Sequence, residues 1–370
     1  MTSASRRELL QRLTAIGAGA LLADLPAQAQ QGRSSGPIRL GFVYPTLINS
    51  AGPTYQHDQG RLIMEQALGE QVQSTHLDNI APGPAAEKAL RDLARQGHRL
   101  IFAISPAYQD AVLKVAPEFP TVGFELLGPA LTLKGNTNIS TYNARLYEGR
   151  YVAGVIAGAM SRSGQVGCVV GVPTVEAIQG INAFMIGMRS VQPQSQLRLQ
   201  WTGSLLDANR ERQAAQTLLD QGADLLTFDT ASTAIPALAH AKNIYFIGHH
   251  SDWRHTAPNT QLTSVTHQWG KYYTEQVRAL MAGRWKVHAF DGNLRAGAVK
   301  VLPLAPAIPD DVQRLVKERE RHVVAGNLHP FSGRIVDQEG KVRQAQGVMK
   351  DADLARMDYL VQGVVGNLPR

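Results

Sequence analysis

The chain has 370 residues, 44% hydrophobic and 18% charged, with a formal net charge of +7. That length supports two hydrophobic cores, and the ordinary charge content excludes a disordered polymer. No apolar run beyond the N-terminus is long and uncharged enough to span a bilayer, and the basic excess forms no Lys/Arg stripe interleaved with aromatics, so no nucleic-acid partner is expected.

Residues 1–30 read as an export signal of the twin-arginine type. Arg6 and Arg7 precede a weakly apolar stretch at 14–22, and Ala27-Gln28-Ala29 supplies a small-residue cleavage site. A periplasmic protein cleaved near Ala29 is the expectation. The single cysteine, Cys168, sits in an apolar run and reads as a small buried hydrophobe; with no cysteine at the cleavage point, neither an internal disulfide nor a lipid anchor is expected. Residues 31–37, rich in Gly and Ser, form a linker.

From residue 38 one plan is drawn twice. A β-branched run at 38–44 ending before Pro45 has its counterpart at 165–172 before Pro173. An amphipathic helix ended by Gly97 leads into a strand at 99–104, and another ended by Gly222 leads into 223–228. Short strands at 121–126 and 243–248 complete the match. Strands alternating with helices imply α/β architecture, here two doubly wound parallel-sheet lobes joined by a hinge. The expected division is 38–142 plus about 262–286 for lobe I, and 143–261 plus part of 287–370 for lobe II. The helix at 151–160 carries Ala153, Gly154, Ala157 and Gly158, small residues that permit close packing. A helix at 270–281 is expected to return to the first lobe, with a strand at 297–302 and a charged helix at 310–325 following.

In open α/β sheets ligands sit beyond the carboxyl ends of the strands. That rule selects Tyr55, Ser105 and Tyr108 in the first lobe and Asp229, Thr230, His249, His250 and Asp252 in the second. Aromatic rings and polar groups together suit a polar heterocycle, held by stacking and by hydrogen bonds to its edge. Adjacent strand residues point to opposite faces, so only one of His249 and His250 is expected to enter the site. Four histidines at 249, 250, 255 and 267 lack a His-Glu-x-x-His arrangement, so no metal is expected. Gly-x-Gly-x-x-Gly, the P-loop and the Gly-x-Ser-x-Gly elbow are all missing, and no cofactor or catalytic residue is assigned.

Four motifs carry a resemblance: Tyr55-Gln56-His57-Asp58-Gln59, the run at 141–151 (Thr-Tyr-Asn-Ala-Arg-Leu-Tyr-Glu-Gly-Arg-Tyr), Gln179-Gly180-Ile181-Asn182, and Gln268-Trp269-Gly270-Lys271-Tyr272-Tyr273. With them the chain resembles the basic membrane protein family of ABC-transporter substrate-binding proteins. That resemblance implies a type I periplasmic binding fold that closes on a small ligand and delivers it to an ABC permease. Members of the family bind purine nucleosides, and the branch this chain looks most like is associated with adenine or related bases. The carried-over site positions are Tyr55, Ser105, Tyr108 and Asn143. Leu205 and Leu206 stand where aromatic side chains are usual, Pro53 where Trp is frequent, and Ala231 where Asp is found. His250 and His267 occupy the places of an aspartate and a lysine in nucleoside-binding relatives. The functional expectation is a monomeric periplasmic receptor that holds a purine base without changing it. A sensor or chemoreceptor partner of the same fold is the alternative, and a purine-processing enzyme a weaker one.

Overall fold

The computed structural model describes residues 36–131, 135 and 137–369. The expected export signal at 1–30 lies outside the described residues, as does most of the linker.

The first sheet is built from β1 (Ile38–Val43), β2 (Val72–Leu77), β3 (Leu100–Ala103), β4 (Gly123–Leu127) and β5 (Ile139–Ala144), with α1 (Gly52–Leu68), α2 (Pro84–Arg95) and α3 (Gln109–Val115) between them. Its strands are buried on both faces. Leu40, Phe42, Leu100 and Phe102 point into one cluster while Val43, Ile101 and Ala103 point into another, which is why these strands read as continuous apolar runs rather than alternating ones.

The second sheet repeats the scheme. After α4 (Leu146–Met160) come β6 (Gln165–Val170), α5 (Val175–Arg189), β7 (Gln196–Trp201), α6 (Ala208–Asp220), β8 (Leu225–Asp229), α7 (Ala234–Lys242), β9 (Tyr245–His250) and β10 (Gln261–His267). The chain then returns to the first lobe with α8 (Trp269–Met281) and β11 (Ala289–Gly292), and crosses back with β12 (Val299–Val301). The first sheet runs β2-β1-β3-β4-β5-β11, the second β7-β6-β8-β9-β10-β12, with β15 (Val364–Val365) added outside β7. The internal repeat is therefore real at the level of strand order. It departs at the last position: β11 is parallel to β5, whereas β12 is antiparallel to β10. The helices ahead of β3 and β8 both end at a glycine of positive φ, Gly97 at 84° and Gly222 at 93°, the conformation that only glycine adopts without strain.

The sheets place the lobe boundaries differently from the sequence expectation. Residues 262–267, expected in lobe I, complete β10 of the second sheet, and 289–292, within the stretch expected to belong only in part to lobe II, form β11 of the first. A strand ending in a crossover carries no mark of which sheet it joins, because both environments bury it on both faces.

Helix α4 lies directly against α5. A Cβ on Gly154 would stand 2.0 Å from the Phe184 carbonyl oxygen, one on Gly158 2.5 Å from that of Met188, and one on Gly187 2.2 Å from that of Tyr151. The small-residue face expected at 153–158 is thus a backbone-to-backbone seat. The run at 141–151 fastens the crossing: Arg145 pairs with Asp291 at 2.6 Å, Glu148 accepts from the Leu294 N–H at 3.1 Å, and Arg150 donates to Thr227 Oγ1 at 2.9 Å.

The last stretch belongs to the second lobe. Helix α9 (Asp310–Ala325) packs on α4, a hairpin of β13 (Ile335–Val336) and β14 (Val342–Gln344) follows, and α10 (Asp351–Leu354) leads to β15. Asn182, fully buried on α5, pins this segment by donating to the Tyr359 carbonyl at 2.8 Å and accepting from the Val361 N–H at 2.9 Å.

Candidate functional site

The carboxyl ends of β8, β9 and β10 meet at one place. Asp229 ends β8, His249 and His250 end β9, and His267 ends β10. His250 donates from Nε2 to Asp229 Oδ1 at 2.8 Å, and His249 Nδ1 lies 3.4 Å from the same oxygen. The two neighbouring imidazoles stack with centroids 3.9 Å apart. The expectation that only one could enter the site fails for a specific reason. His250 has φ of 62°, a left-handed backbone, so the strand alternation stops between them and both rings turn toward Asp229.

From His250 the rings continue: His267 lies 5.2 Å away, Trp269 5.4 Å from His267, and His57 of α1 is stacked 5.0 Å from Trp269. His57 Nδ1 is in turn 2.6 Å from the Tyr273 hydroxyl. An aromatic column therefore runs from the second lobe through the crossing at Gln268 into the first. Burial lowers the His57 and His249 imidazoles to about 3, with His250 adding to both, and holds His267 well below its ordinary range. These rings are neutral. Burial alone would raise the Asp229 carboxyl, but the imidazoles of His249 and His250 outweigh it and hold it well below the usual carboxylate range. Both nitrogens of His249, Nδ1 of His250 and of His267, and Nε1 of Trp269 are buried without a protein hydrogen-bond partner. Such atoms are costly, at about 1–3 kcal/mol each, unless something pairs with them.

The first lobe approaches over the N-terminus of α1. The Gly52 N–H donates to Ser251 Oγ at 2.9 Å, and Gln56 Nε2 reaches the same oxygen at 3.2 Å. Gly52 has φ of 91°, and a Cβ there would stand 2.6 Å from the Ala231 Cβ. The carboxyl-end loops of the two sheets thus face and touch each other.

The expected site residues separate into two groups. Asp229, His249, His250 and His267 converge. Tyr55, half-buried in the first turn of α1, and Asn143, half-buried near the end of β5, lie at the crossing elements with no hydrogen bond to the cluster. Leu205 is 39% exposed on the loop after β7, packed over Gly171. Four candidates are committed elsewhere. Tyr108 is fully buried in the first lobe's core and donates its hydroxyl proton to the Ile80 carbonyl at 2.6 Å, so its ring is not presented for stacking. Ser105 caps the short helix that follows it by accepting from the Ala107 N–H at 3.2 Å. Thr230 donates to Glu211 at 2.8 Å, a carboxylate that Ser232 also binds. Asp252 accepts from the Arg254 backbone at 3.1 Å and from Gln261 at 3.1 Å, which closes its own turn.

Three contributors, His57, Trp269 and Ser251, escaped the residue-by-residue selection. His57 stands in the first quoted motif beside Gln56, which falls four residues after Gly52 on one helical face. Trp269 reads as core and is indeed 2% exposed, yet its ring lies between His57 and His267. Ser251, following two histidines in a loop, carries no signal of its own. Among the described residues no helix is long and apolar enough to cross a membrane.

A purine-binding protein of Brucella abortus (strain 2308) is 42% identical over 334 residues, spanning 90% of this chain and 94% of the relative. A Haloferax volcanii protein that carries the provisional name of an ABC transporter glucose-binding protein is 26% identical across 95% of this chain and 86% of its own length. Among solved structures, a solute-binding protein of an ABC transporter system from Conexibacter woesei superposes with a TM-score of 0.65 at 22% identity, covering 79% of this chain and 98% of that one, which supports the fold. Residues 38–326 match the family described as ABC transporter substrate-binding protein, PnrA-like. The chain therefore belongs to this basic membrane protein family of extracytoplasmic substrate-binding proteins, which bind small ligands, work with membrane permeases and are not enzymes.

Proposed function

We propose that this protein captures a purine base such as adenine between its lobes and hands it to an ABC permease, after export through a twin-arginine signal cleaved near Ala29. The observation that carries the reading is the buried column of Asp229, His249, His250, His267 and Trp269 with its unpaired ring nitrogens. A planar heterocycle offers both faces for stacking and an edge of N–H donors and ring-nitrogen acceptors, the complement of a carboxylate and imidazole nitrogens. The name of the Brucella relative supports the same class. His250 and His267 replace charged residues that the resemblance associates with contacts to the ribose or the base, and the lost sugar acceptors favour the free base over the nucleoside.

The test is ligand-induced stabilisation of the purified protein, in chelator, with adenine, guanine, hypoxanthine and xanthine, their nucleosides, and glucose. A base at one hundred times its dissociation constant raises stability by about 2.7 kcal/mol. Stabilisation by glucose alone, or by no purine, overturns the reading. Native mass spectrometry of gently purified protein identifies what it carries, and a base of intact mass is the expected result.

A further inference from the structure

We propose that Asp229, His249 and His250 form a binding site for a divalent transition cation of the zinc class on the second-lobe wall of the cleft. One donor atom from each residue can be chosen so that all lie within 4.8 Å of one another. His250 Nε2 stands 2.8 Å and His249 Nδ1 3.4 Å from the same carboxylate oxygen. A tetrahedral cation bonded at about 2.0–2.1 Å to nitrogen and oxygen holds its ligands about 3.3 Å apart, so the His250–Asp229 pair must open by about half an ångström and the two stacked imidazoles must tilt until both point at one ion.

Two further observations bear on it. His249 is 4% exposed, and neither of its ring nitrogens has a partner, although one already faces Asp229. His250 takes a left-handed backbone, unusual for a residue with a side chain, and this single distortion brings two adjacent imidazoles to one side of the strand.

The donor set decides the class. Two imidazoles and one carboxylate suit zinc, cobalt, nickel or copper, whereas calcium and magnesium take oxygen ligands throughout. Three protein ligands leave the fourth tetrahedral position open to the cleft. Arg150, buried and donating to Thr227 Oγ1, is held toward its charged form by Asp229, so a bound dication leaves this wall net positive. An anionic donor is then favoured at the fourth position.

The experiment uses the purified protein stripped with chelator and titrated with Zn²⁺ or Co²⁺ alone, with no purine present. One Zn²⁺ per chain is expected by calorimetry, together with the intense visible absorption of tetrahedral Co²⁺. His249→Asn, His250→Asn and Asp229→Asn each weaken Zn²⁺ binding at least about a hundredfold, the second replacement keeping a residue type that tolerates a left-handed backbone. His255→Asn, on the exposed neighbouring turn, leaves affinity unchanged. No binding, binding indifferent to the three variants, or equal competition by Mg²⁺ overturns the proposal. Should a variant fail to fold, X-ray absorption on the zinc-loaded natural protein decides: two imidazole nitrogens in the shell sustain the site, and an all-oxygen shell removes it. Purine stabilisation in chelator tests the functional reading separately, so either can fail without the other.

Discussion

The two lobes share a strand order but not a chemistry. At the carboxyl ends of β3 and β4 the first lobe spends its polar groups on itself, with Ser105 capping a helix and Tyr108 closing the Ile80 carbonyl. At the equivalent ends of β8 and β9 the second lobe gathers Asp229, His249 and His250 and leaves ring nitrogens unpaired. Topology therefore positions the loops, while the side chains at strand ends decide which lobe recognises and which lobe closes. The first lobe's contribution comes mainly from α1, whose N-terminal turn meets Ser251.

The comparison breaks most visibly in the helix seats. In the second lobe Gly154 faces backbone, with a Cβ 2.0 Å from the Phe184 oxygen, whereas in the first lobe Gly60 faces the Trp269 Cβ at 2.7 Å. Gly154→Ala is expected to cost about 3 kcal/mol, since its Cβ would meet backbone at 2.0 Å, and Gly60→Ala about 2 kcal/mol, since the Trp269 Cβ it meets is fixed to its own backbone but lies farther off. Chemical denaturation of both variants measures the difference, and equal costs would show that the two seats are equally yielding.

Next in size is the strand-end contrast. Asp229→Asn removes the charged acceptor of the second lobe and should weaken purine binding by about 1.5–3 kcal/mol, tenfold to more than a hundredfold in Kd. Tyr108→Phe, at the matching level of the first lobe, should lower stability by about 1 kcal/mol and leave Kd unchanged. Calorimetric titration with the base that stabilises the protein separates them. A drop in affinity for Tyr108→Phe would return that ring to the site.

His57 offers a sharper probe of the column where it enters the first lobe. Its imidazole takes a proton below about 6.5 in the unfolded chain but only near 3 when folded, because it is buried and lies near His250. Unfolding therefore binds a proton in that window, and stability is lost as pH falls from about 6.5 toward 3, at up to about 1.4 kcal/mol per pH unit. His57→Gln should flatten the pH dependence of denaturant midpoints by that amount relative to the natural protein. Parallel curves for the two would show that His57 is protonated in the fold.

The smallest expected effect lies at the lobe contact. Gly52→Ala forces a side chain onto a φ of 91° and within 2.6 Å of the Ala231 Cβ in the facing lobe. It should disfavour closure and weaken ligand binding about tenfold, or about 1.4 kcal/mol. Small-angle scattering with and without base should show a smaller compaction than in the natural protein.

Much of this was legible in the sequence. The glycine-ended helices before β3 and β8 and the apolar runs of β1 and β6 follow from local periodicity and capping. The strand-end rule found Asp229, His249 and His250, and the family resemblance added His267. The rule also picked Thr230, Asp252, Ser105 and Tyr108, because a polar side chain at a strand end serves a ligand, a helix cap or a turn equally well until its partners are seen. Glu211 captures Thr230 from nineteen residues away, and no local pattern announces that bond. The left-handed turn at His250 was hidden for a different reason: histidine normally continues a strand, and only the demands of its neighbours bend it. The motif at 179–182 turned out to serve the C-terminal segment, through Gln179 and Asn182, rather than the cleft.

The route of the chain has one more consequence, for synthesis. Helix α8 covers the face of the first sheet that carries Phe42 and Phe102, with Tyr273 packed 5.3 Å and 4.6 Å from those rings. It is made only after the entire second sheet up to β10 has emerged. For more than a hundred residues of elongation, the opening half of the polypeptide covers this aromatic surface only in part, with Met64 and Leu68 of α1, and that interval is when it is most exposed to aggregation or to capture by a chaperone.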